Sequence, residues 1–298
     1  MGKASRRPRG SGRSAPAAAK AAPYVRRPFE GLPSETDWVA IREILPAATA
    51  SVRLADSVIA EGPDDAPSEV VIATVLPMAW PGLHRADGTV FVATQSGSAS
   101  GDASRDLASA VLATRALPPG APLQQAPTVT ADTPRLQDLL ADGQDFDVTV
   151  HEGFDFWVGE ADLEDDAKAS LERANESVVP TTPIQGVASA YHVVIGDRAY
   201  IRIVLGEDED AATDALARLH ASGEDALGED TRLLGAFRAC GLLVPVVEVP
   251  VDSDPADHTA AVAQWRDRYA VALASETALT AEERRARAGL LSRQVTLR

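Results

Sequence analysis

A β-hairpin pattern followed by a helical pattern occurs twice in this chain, and that order constrains the fold more than any other feature of the sequence. In the first case Asp87 and Gly88 form a hairpin turn signal before a strand at 89–94. A Gly/Ser loop then leads to a helix over 103–116, whose apolar residues recur with helical spacing.

The second hairpin pattern has strands over 189–195 and 199–205, and its helix continues through Leu216 and Leu219. The sequence therefore predicts an α+β fold of two similar hairpin-plus-helix halves, with C-terminal helices and a disordered N-terminal tail. An internal duplication and a chance recurrence of a common motif both explain this order.

The remaining patterns predict the other elements and the organisation of the chain. We expect a disordered tail at 1–28, a first α+β half at 29–117, a connector at 118–133 and a second half with the C-terminal helices at 134–298. The further predicted helices are 35–45, 134–141, 161–176, 230–239, one from 255 and one from 281, and the further strands are 50–54, 70–76, 146–151, 154–158 and 242–249.

Charge is divided unevenly along the chain. Residues 1–28 hold eight Lys or Arg and no acid, whereas the rest holds 20 bases against 44 acids, a formal charge of −24. Arg6, Arg7, Arg9 and Arg13 could contact nucleic acid or another anionic partner by counterion release, and a solubilising leader is an equal alternative. A further hypothesis is that this arm docks on the chain's own acidic segment at 136–167.

Cysteine content and hydropathy exclude several classes of protein. Cys240 is the only cysteine, so there is no intramolecular disulfide and no thiolate-cluster zinc site, which favours a cytoplasmic location. The longest uncharged apolar run, at 70–80, is far shorter than the roughly 20 residues that cross a bilayer. The sequence predicts no membrane partner and no cofactor, and it names no protein partner.

The loop before the helix at 103–116 is one candidate site. Ser98, Ser100, Ser104 and Arg105 surround a predicted helix N-terminus, where backbone amides favour an anion. The loop lacks the spacing of the known glycine-rich phosphate motifs and has no lysine. An ordinary strand-to-helix connection is the favoured alternative.

The second candidate is a metal site on the strand at 146–151. Asp145, Asp147 and His151 alternate with apolar residues, so they share one face of that strand. Two carboxylates and an imidazole could bind a divalent cation or act in acid–base chemistry. A strand whose polar face meets water is the favoured alternative.

Other conspicuous residues are predicted to be structural. Asp254 precedes Pro255, as expected for a helix N-cap followed by proline at the first helical position. Cys240 is interpreted as a buried thiol, and His84, His192 and His220 lack a recognisable partner in the sequence. The four tryptophans, Trp38, Trp80, Trp157 and Trp265, are assigned to the core.

Four stretches resemble those of an uncharacterised actinobacterial family, a domain of unknown function. They are RPFEGLP at 27–33, DWVA at 37–40, VLPMAW at 75–80 and SGDASRDL at 100–107, and the resemblance covers about 25–298. Some members of that family carry an N-terminal zinc module of the SEC-C type. No Cys or His precedes His84 here, so that module is absent from this sequence.

These features predict a non-enzymatic binding or adaptor protein whose basic N-terminal arm contacts an anionic partner. The alternative is a metal-dependent or phosphate-ligand-dependent enzyme that uses the strand at 145–151 or the loop at 96–104. No complete catalytic constellation is found in the sequence, and this ranks the enzyme second.

Overall fold

The computed structural model describes residues 20–63, 65–97, 99–159 and 164–292. Arg6, Arg7, Arg9, Arg13 and Ser98, which the sequence analysis singled out, lie outside the described residues. Within them the chain forms two β-sheets and eight α-helices, which confirms the predicted α+β class. None of these helices is both long and apolar enough to cross a membrane.

The first sheet has six strands in the order β5-β3-β4-β2-β1-β6. Strands β2 and β4 are parallel, and the other neighbouring pairs are antiparallel. The strands are β1 (Ala48–Arg53), β2 (Glu69–Ala73), β3 (Gly82–His84), β4 (Val90–Ala93), β5 (Pro122–Leu123) and β6 (Thr149–Val150).

The second sheet has five strands in the order β10-β11-β9-β8-β7, paired antiparallel throughout. The strands are β7 (Thr181–Pro183), β8 (Ala190–Ile195), β9 (Arg198–Ile203), β10 (Arg232–Ala239) and β11 (Leu242–Val249).

The helices are α1 (Glu35–Glu43), α2 (Asp56–Ala60), α3 (Ala103–Arg115), α4 (Leu136–Leu139), α5 (Asp165–Asn175), α6 (Glu209–Ser222), α7 (Thr259–Leu273) and α8 (Ala281–Ser292). Side-chain caps begin the 3₁₀ turn Pro255–His258 that leads into α7, as predicted at Asp254, and also begin α8. The Asp254 side chain accepts a hydrogen bond from the amide of Ala256. Thr280 and Glu283 form reciprocal side-chain-to-backbone bonds where α8 begins.

The largest core cluster joins the two sheets. It contains the buried face of α1 with Trp38 and Ile41, residues of α3, one face of the first sheet and one face of the second. The second cluster, around Ile201 and Trp265, packs the opposite face of the second sheet against α6, α7 and α8. The order of layers is therefore the first sheet, then α1, then the second sheet, then the C-terminal helices.

The hairpin-then-helix order occurs in both sheets, because β3 and β4 precede α3 while β8 and β9 precede α6. Gly88 adopts a positive φ of 90° in the first turn, which glycine tolerates without a steric penalty. The neighbouring strands differ, since β4 pairs in parallel with β2 whereas β9 pairs antiparallel with β11.

The helix predicted over 230–239 is wrong, because these residues form β10. Cys240 and Gly241 both have positive φ, 45° and 82°, which is the turn geometry that joins two twisted strands directly. A β-bulge near Gly235 adjusts the register with β11. Pairing with β11 thus overrides a local apolar pattern that resembles a helix.

The strand predicted over 154–158 is also wrong. Residues Asp155–Trp157 form a single 3₁₀ turn, and its aromatic rings cover the outer face of the first sheet. Phe154 and Trp157 stack with ring centroids 4.5 Å apart, and the Trp157 indole donates to the Val75 carbonyl at 2.9 Å. The aromatic residues that predicted a strand here therefore belong to a turn that packs on the sheet.

The four tryptophans, all assigned to the core from the sequence, differ in burial. Trp38 and Trp265 are fully buried, while Trp80 and Trp157 are half-buried.

Residues 20–28, which the sequence assigns to the disordered tail, lie against the folded body, and we call them the strap. The Val25 amide donates to the Gly101 carbonyl at 2.9 Å. Arg27 makes a two-pronged ion pair with Glu35 at 2.6 and 2.7 Å and also donates to the Gly206 carbonyl. The strap thus contacts the loop before α3, helix α1 and the segment that follows β9.

Candidate anion-binding cleft

A cleft of about 400 Å³ opens between the two sheets. The last turn of α1 and the carboxyl end of β4 form one side, and β9 with β10 form the other. Its described lining consists of Arg42, Glu43, Thr94, Gln95, Ser96, Arg202, Phe237 and Arg238.

Arg42 is fixed on the first-sheet side of the cleft. Its Nη1 donates to the Thr94 carbonyl at 2.6 Å, and its Nε lies 3.5 Å from the Glu43 carboxylate. The guanidinium is therefore tied to the residue that directly follows β4.

Arg202 and Arg238 approach from the second sheet. Arg202 is only 8% exposed, its guanidinium lies 5.8 Å from the centre of the Phe237 ring, and burial lowers its pKa. Arg238 is paired with Glu209, the first residue of α6. Packing and ion pairing thus hold both side chains before any ligand arrives.

The charge of this cleft contrasts with that of the body. Three guanidinium groups and one carboxylate are among its described lining residues, in a chain whose formal charge is −16. Guanidinium groups bind phosphate and carboxylate through paired hydrogen bonds. The arrangement is suited to an anion.

A second chamber of about 260 Å³ adjoins the first and shares Arg42 and Glu43 with it. The strap forms one wall of this chamber. The strap contributes Tyr24, Val25, Arg26 and Pro28 to the lining, and the folded body contributes Ala99, Gly101, Ala103, Asp106 and Cys240 beside Arg42 and Glu43. Burial and the nearby Glu43 carboxylate raise the pKa of the Cys240 thiol to about 12, so this thiol is protonated at neutral pH.

The loop proposed from sequence as an anion site is organised around a carboxylate. Asp102 is fully buried, accepts hydrogen bonds from the amides of Ser104 and Arg105, and lies within 3.4 Å of the Arg105 and Arg135 guanidinium groups. The Ser104 hydroxyl donates to Gln137 and accepts from the Leu136 amide. The helix amides that would hold an anion are thus already bonded to Asp102.

Two other residues of this loop contact different groups. Ser100 accepts a hydrogen bond from the Asp102 amide, and Ser96 lines the arginine cleft. Ser96, the first residue of the loop, therefore lies in the arginine cleft.

The residues proposed as metal ligands do not form a cluster. Asp145 and Asp147 are exposed, while His151 Nε2 lies 2.7 Å from the Thr49 hydroxyl and its ring packs against Phe156. Burial lowers the pKa of His151. Among the described residues, no group of three or more His, Cys, Asp or Glu side chains is arranged to hold a metal ion.

Two further histidine arrangements are not evident from the sequence. His220 Nδ1 lies 2.6 Å from the Asp225 carboxylate, a partner that the sequence does not reveal. His192 and His258 are buried with their rings stacked 6.1 Å apart.

Sequence reasoning missed the arginine cleft because its cations come from three distant elements and share no motif. One signal was present, since Arg202 interrupts the otherwise apolar segment of β9. Arginine is rarely buried without a specific partner or ligand.

The fold and cleft together define a two-sheet α+β protein with an arginine-lined interlayer site. The chain belongs to DUF5926, a family of unknown function whose model matches residues 28–298. This confirms membership of an uncharacterised family. No curated protein and no solved structure matches the chain.

Proposed function

We propose that this protein is a non-enzymatic binding protein that holds a small anion in the arginine cleft. The observation that carries the proposal is the convergence of Arg42, Arg202 and Arg238 on one cleft of about 400 Å³. Their pre-set positions reduce the entropic cost of binding.

Binding is favoured over catalysis by the side chains that accompany these arginines. The described lining includes no histidine, and Glu43 is its one carboxylate. A phosphate-dependent enzyme would use this same cleft. If the protein hydrolysed a bound phosphate ester, it would be an enzyme and not a binding protein.

Inorganic phosphate is the first probe, measured by calorimetry and by thermal shift. We expect phosphate to raise the unfolding temperature, because a ligand that binds only the folded state stabilises it. Arg238→Met should weaken phosphate binding about tenfold or more, as expected for loss of a charge-assisted hydrogen bond.

Arg232→Met is the matched control, because Arg232 is also on β10 and its side chain is 71% exposed outside the cleft lining. Arg42→Met tests the opposite wall. Absence of phosphate binding by the wild-type chain, or equal loss in Arg232→Met and Arg238→Met, would contradict the proposal.

The basic arm provides a second candidate contact with an anionic partner, nucleic acid being the chemistry that fits it most directly. Residues 1–19 hold five Lys or Arg and no acid, and they are continuous with the strap that walls the second chamber. We also propose that the protein is cytoplasmic, because its single cysteine suits a reducing compartment, and that it is of actinobacterial origin, as the resemblance of the four stretches implies.

Removal of residues 1–19 tests the arm. We expect the truncated chain to lose affinity for a single-stranded RNA probe, and the remaining binding to depend less steeply on salt. Equal RNA affinity in fluorescence anisotropy, with and without the arm, would exclude this contact.

A further inference from the structure

The two chambers differ in the chemistry of their walls. The arginine cleft carries the guanidinium groups, whereas the second chamber is walled largely by uncharged groups of Tyr24, Val25, Pro28, Ala99 and Ala103. Because both chambers share Arg42 and Glu43, a ligand held at the arginines has an adjoining space for a second part of its structure.

We propose that the ligand is a phosphate monoester with an uncharged organic body. Its phosphate lies among Arg42, Arg202 and Arg238, and its body lies in the second chamber beside Tyr24. This inference rests on the anion-binding function proposed above and names the class of ligand.

The number of guanidinium groups favours a phosphate monoester over a carboxylate. Arg42, Arg202 and Arg238 line the arginine cleft, and Glu209, which pairs with Arg238, lies outside that lining. A phosphate monoester offers three terminal oxygens as acceptors and is mostly dianionic at neutral pH, because its second pKa is about 6. A carboxylate offers two oxygens, one fewer than the number of guanidinium groups in the cleft.

Tyr24 provides the surface for the organic body. Its side chain is 76% exposed, yet the backbone beside it is held by the bond from the Val25 amide to the Gly101 carbonyl. Its Cα also lies close to Gly101, at 3.5 Å from the position of an added Cβ. An exposed aromatic ring on a fixed backbone can pack against a ligand with little loss of conformational freedom.

The test compares three probes by titration calorimetry at neutral pH: inorganic phosphate, phenyl phosphate and benzoate. We expect phenyl phosphate to bind about tenfold more tightly than inorganic phosphate, because its ring gains apolar contact in the second chamber. Benzoate should bind more weakly than phenyl phosphate.

Tyr24→Ala identifies the chamber that the ring occupies. We expect this variant to weaken phenyl phosphate binding by about 3- to 10-fold and to leave inorganic phosphate binding unchanged. Val271→Ala is the matched control, since Val271 is equally exposed at 76% but lies on α7, outside the lining of both chambers.

The outcomes separate this inference from the proposed function. Equal affinities for phenyl phosphate and inorganic phosphate would overturn the two-chamber ligand and retain the anion site. Tighter binding of benzoate would overturn the phosphate assignment, and an unchanged phenyl phosphate affinity in Tyr24→Ala would overturn the role of the second chamber. Failure of all three probes to bind would overturn the anion-binding function itself.

Discussion

Asp102 shows how one residue can serve several elements at once. Its carboxylate caps α3 through two backbone amides and compensates the positive charges of Arg105 and Arg135. Because this carboxylate is fully buried, its removal would leave those guanidinium groups without their anionic partner.

We predict that Asp102→Asn lowers the free energy of unfolding by about 2 kcal/mol or more, since asparagine can still cap the helix but carries no charge. Asp208→Asn is the control, because Asp208 caps α6 with a side chain that is 61% exposed. We expect its effect to stay within about 0.5 kcal/mol. Equal losses for the two variants in urea denaturation would show that the buried charge of Asp102 is not important.

Among the elements, the strap links α1 to the turn between β10 and β11. Arg27 pairs with Glu35 of α1, and the Arg26 backbone passes so close to Gly241 that an added Cβ there would lie 2.7 Å from the Arg26 carbonyl oxygen. The turn between β10 and β11 therefore needs glycine both for its positive φ and for this close approach.

Two truncations distinguish the strap from the arm. Removal of residues 1–19 should leave the unfolding temperature unchanged, because the contacts of the strap are retained. Removal of residues 1–28 should lower it, because Glu35 loses its paired guanidinium and the Gly101 carbonyl loses the Val25 amide. Identical melting curves for the two truncated chains would contradict a stabilising role for the strap.

The elements that sequence predicted correctly are those whose apolar period agrees with their packing. Helix α1 buries one face, which carries Trp38 and Ile41. Helix α7 likewise buries the face that carries Val262, Trp265 and Tyr269. The sequence did not predict β10, because this strand depends on its pairing with β11. It did not predict the turn at Asp155–Trp157, because that turn depends on packing against the outer face of the first sheet. Tertiary contacts of this kind leave a weak local signal.

At the scale of the whole molecule, histidine burial gives the stability a pH dependence. Burial lowers the pKa values of His151, His192 and His258, and the proximity of His258 lowers that of His192 further. Since the unfolded chain has ordinary histidine pKa values, it binds more protons than the folded chain in slightly acidic solution.

We therefore predict that the free energy of unfolding falls as the pH decreases below about 6.5 and that these histidines contribute no pH dependence well above it. Asp37 acts in the opposite direction at lower pH, because burial raises its pKa. Urea denaturation at pH 7.5, 6.5 and 5.5 measures the effect. The double variant His192→Gln, His258→Gln should show a shallower dependence, and an unchanged slope would exclude these two residues as its source.

Local sequence patterns were enough to establish the α+β class, the hairpin-then-helix order, the Asp254 cap and the separation of basic and acidic segments. These properties depend on residues close together in the chain. Tertiary packing was needed to show that β6 joins the first sheet through β1, that Asp102 accepts hydrogen bonds from the first amides of α3, and that Arg42, Arg202 and Arg238 line one cleft. Residues so distant in sequence share no periodic relation, and the packing of two sheets around α1 is what brings them together.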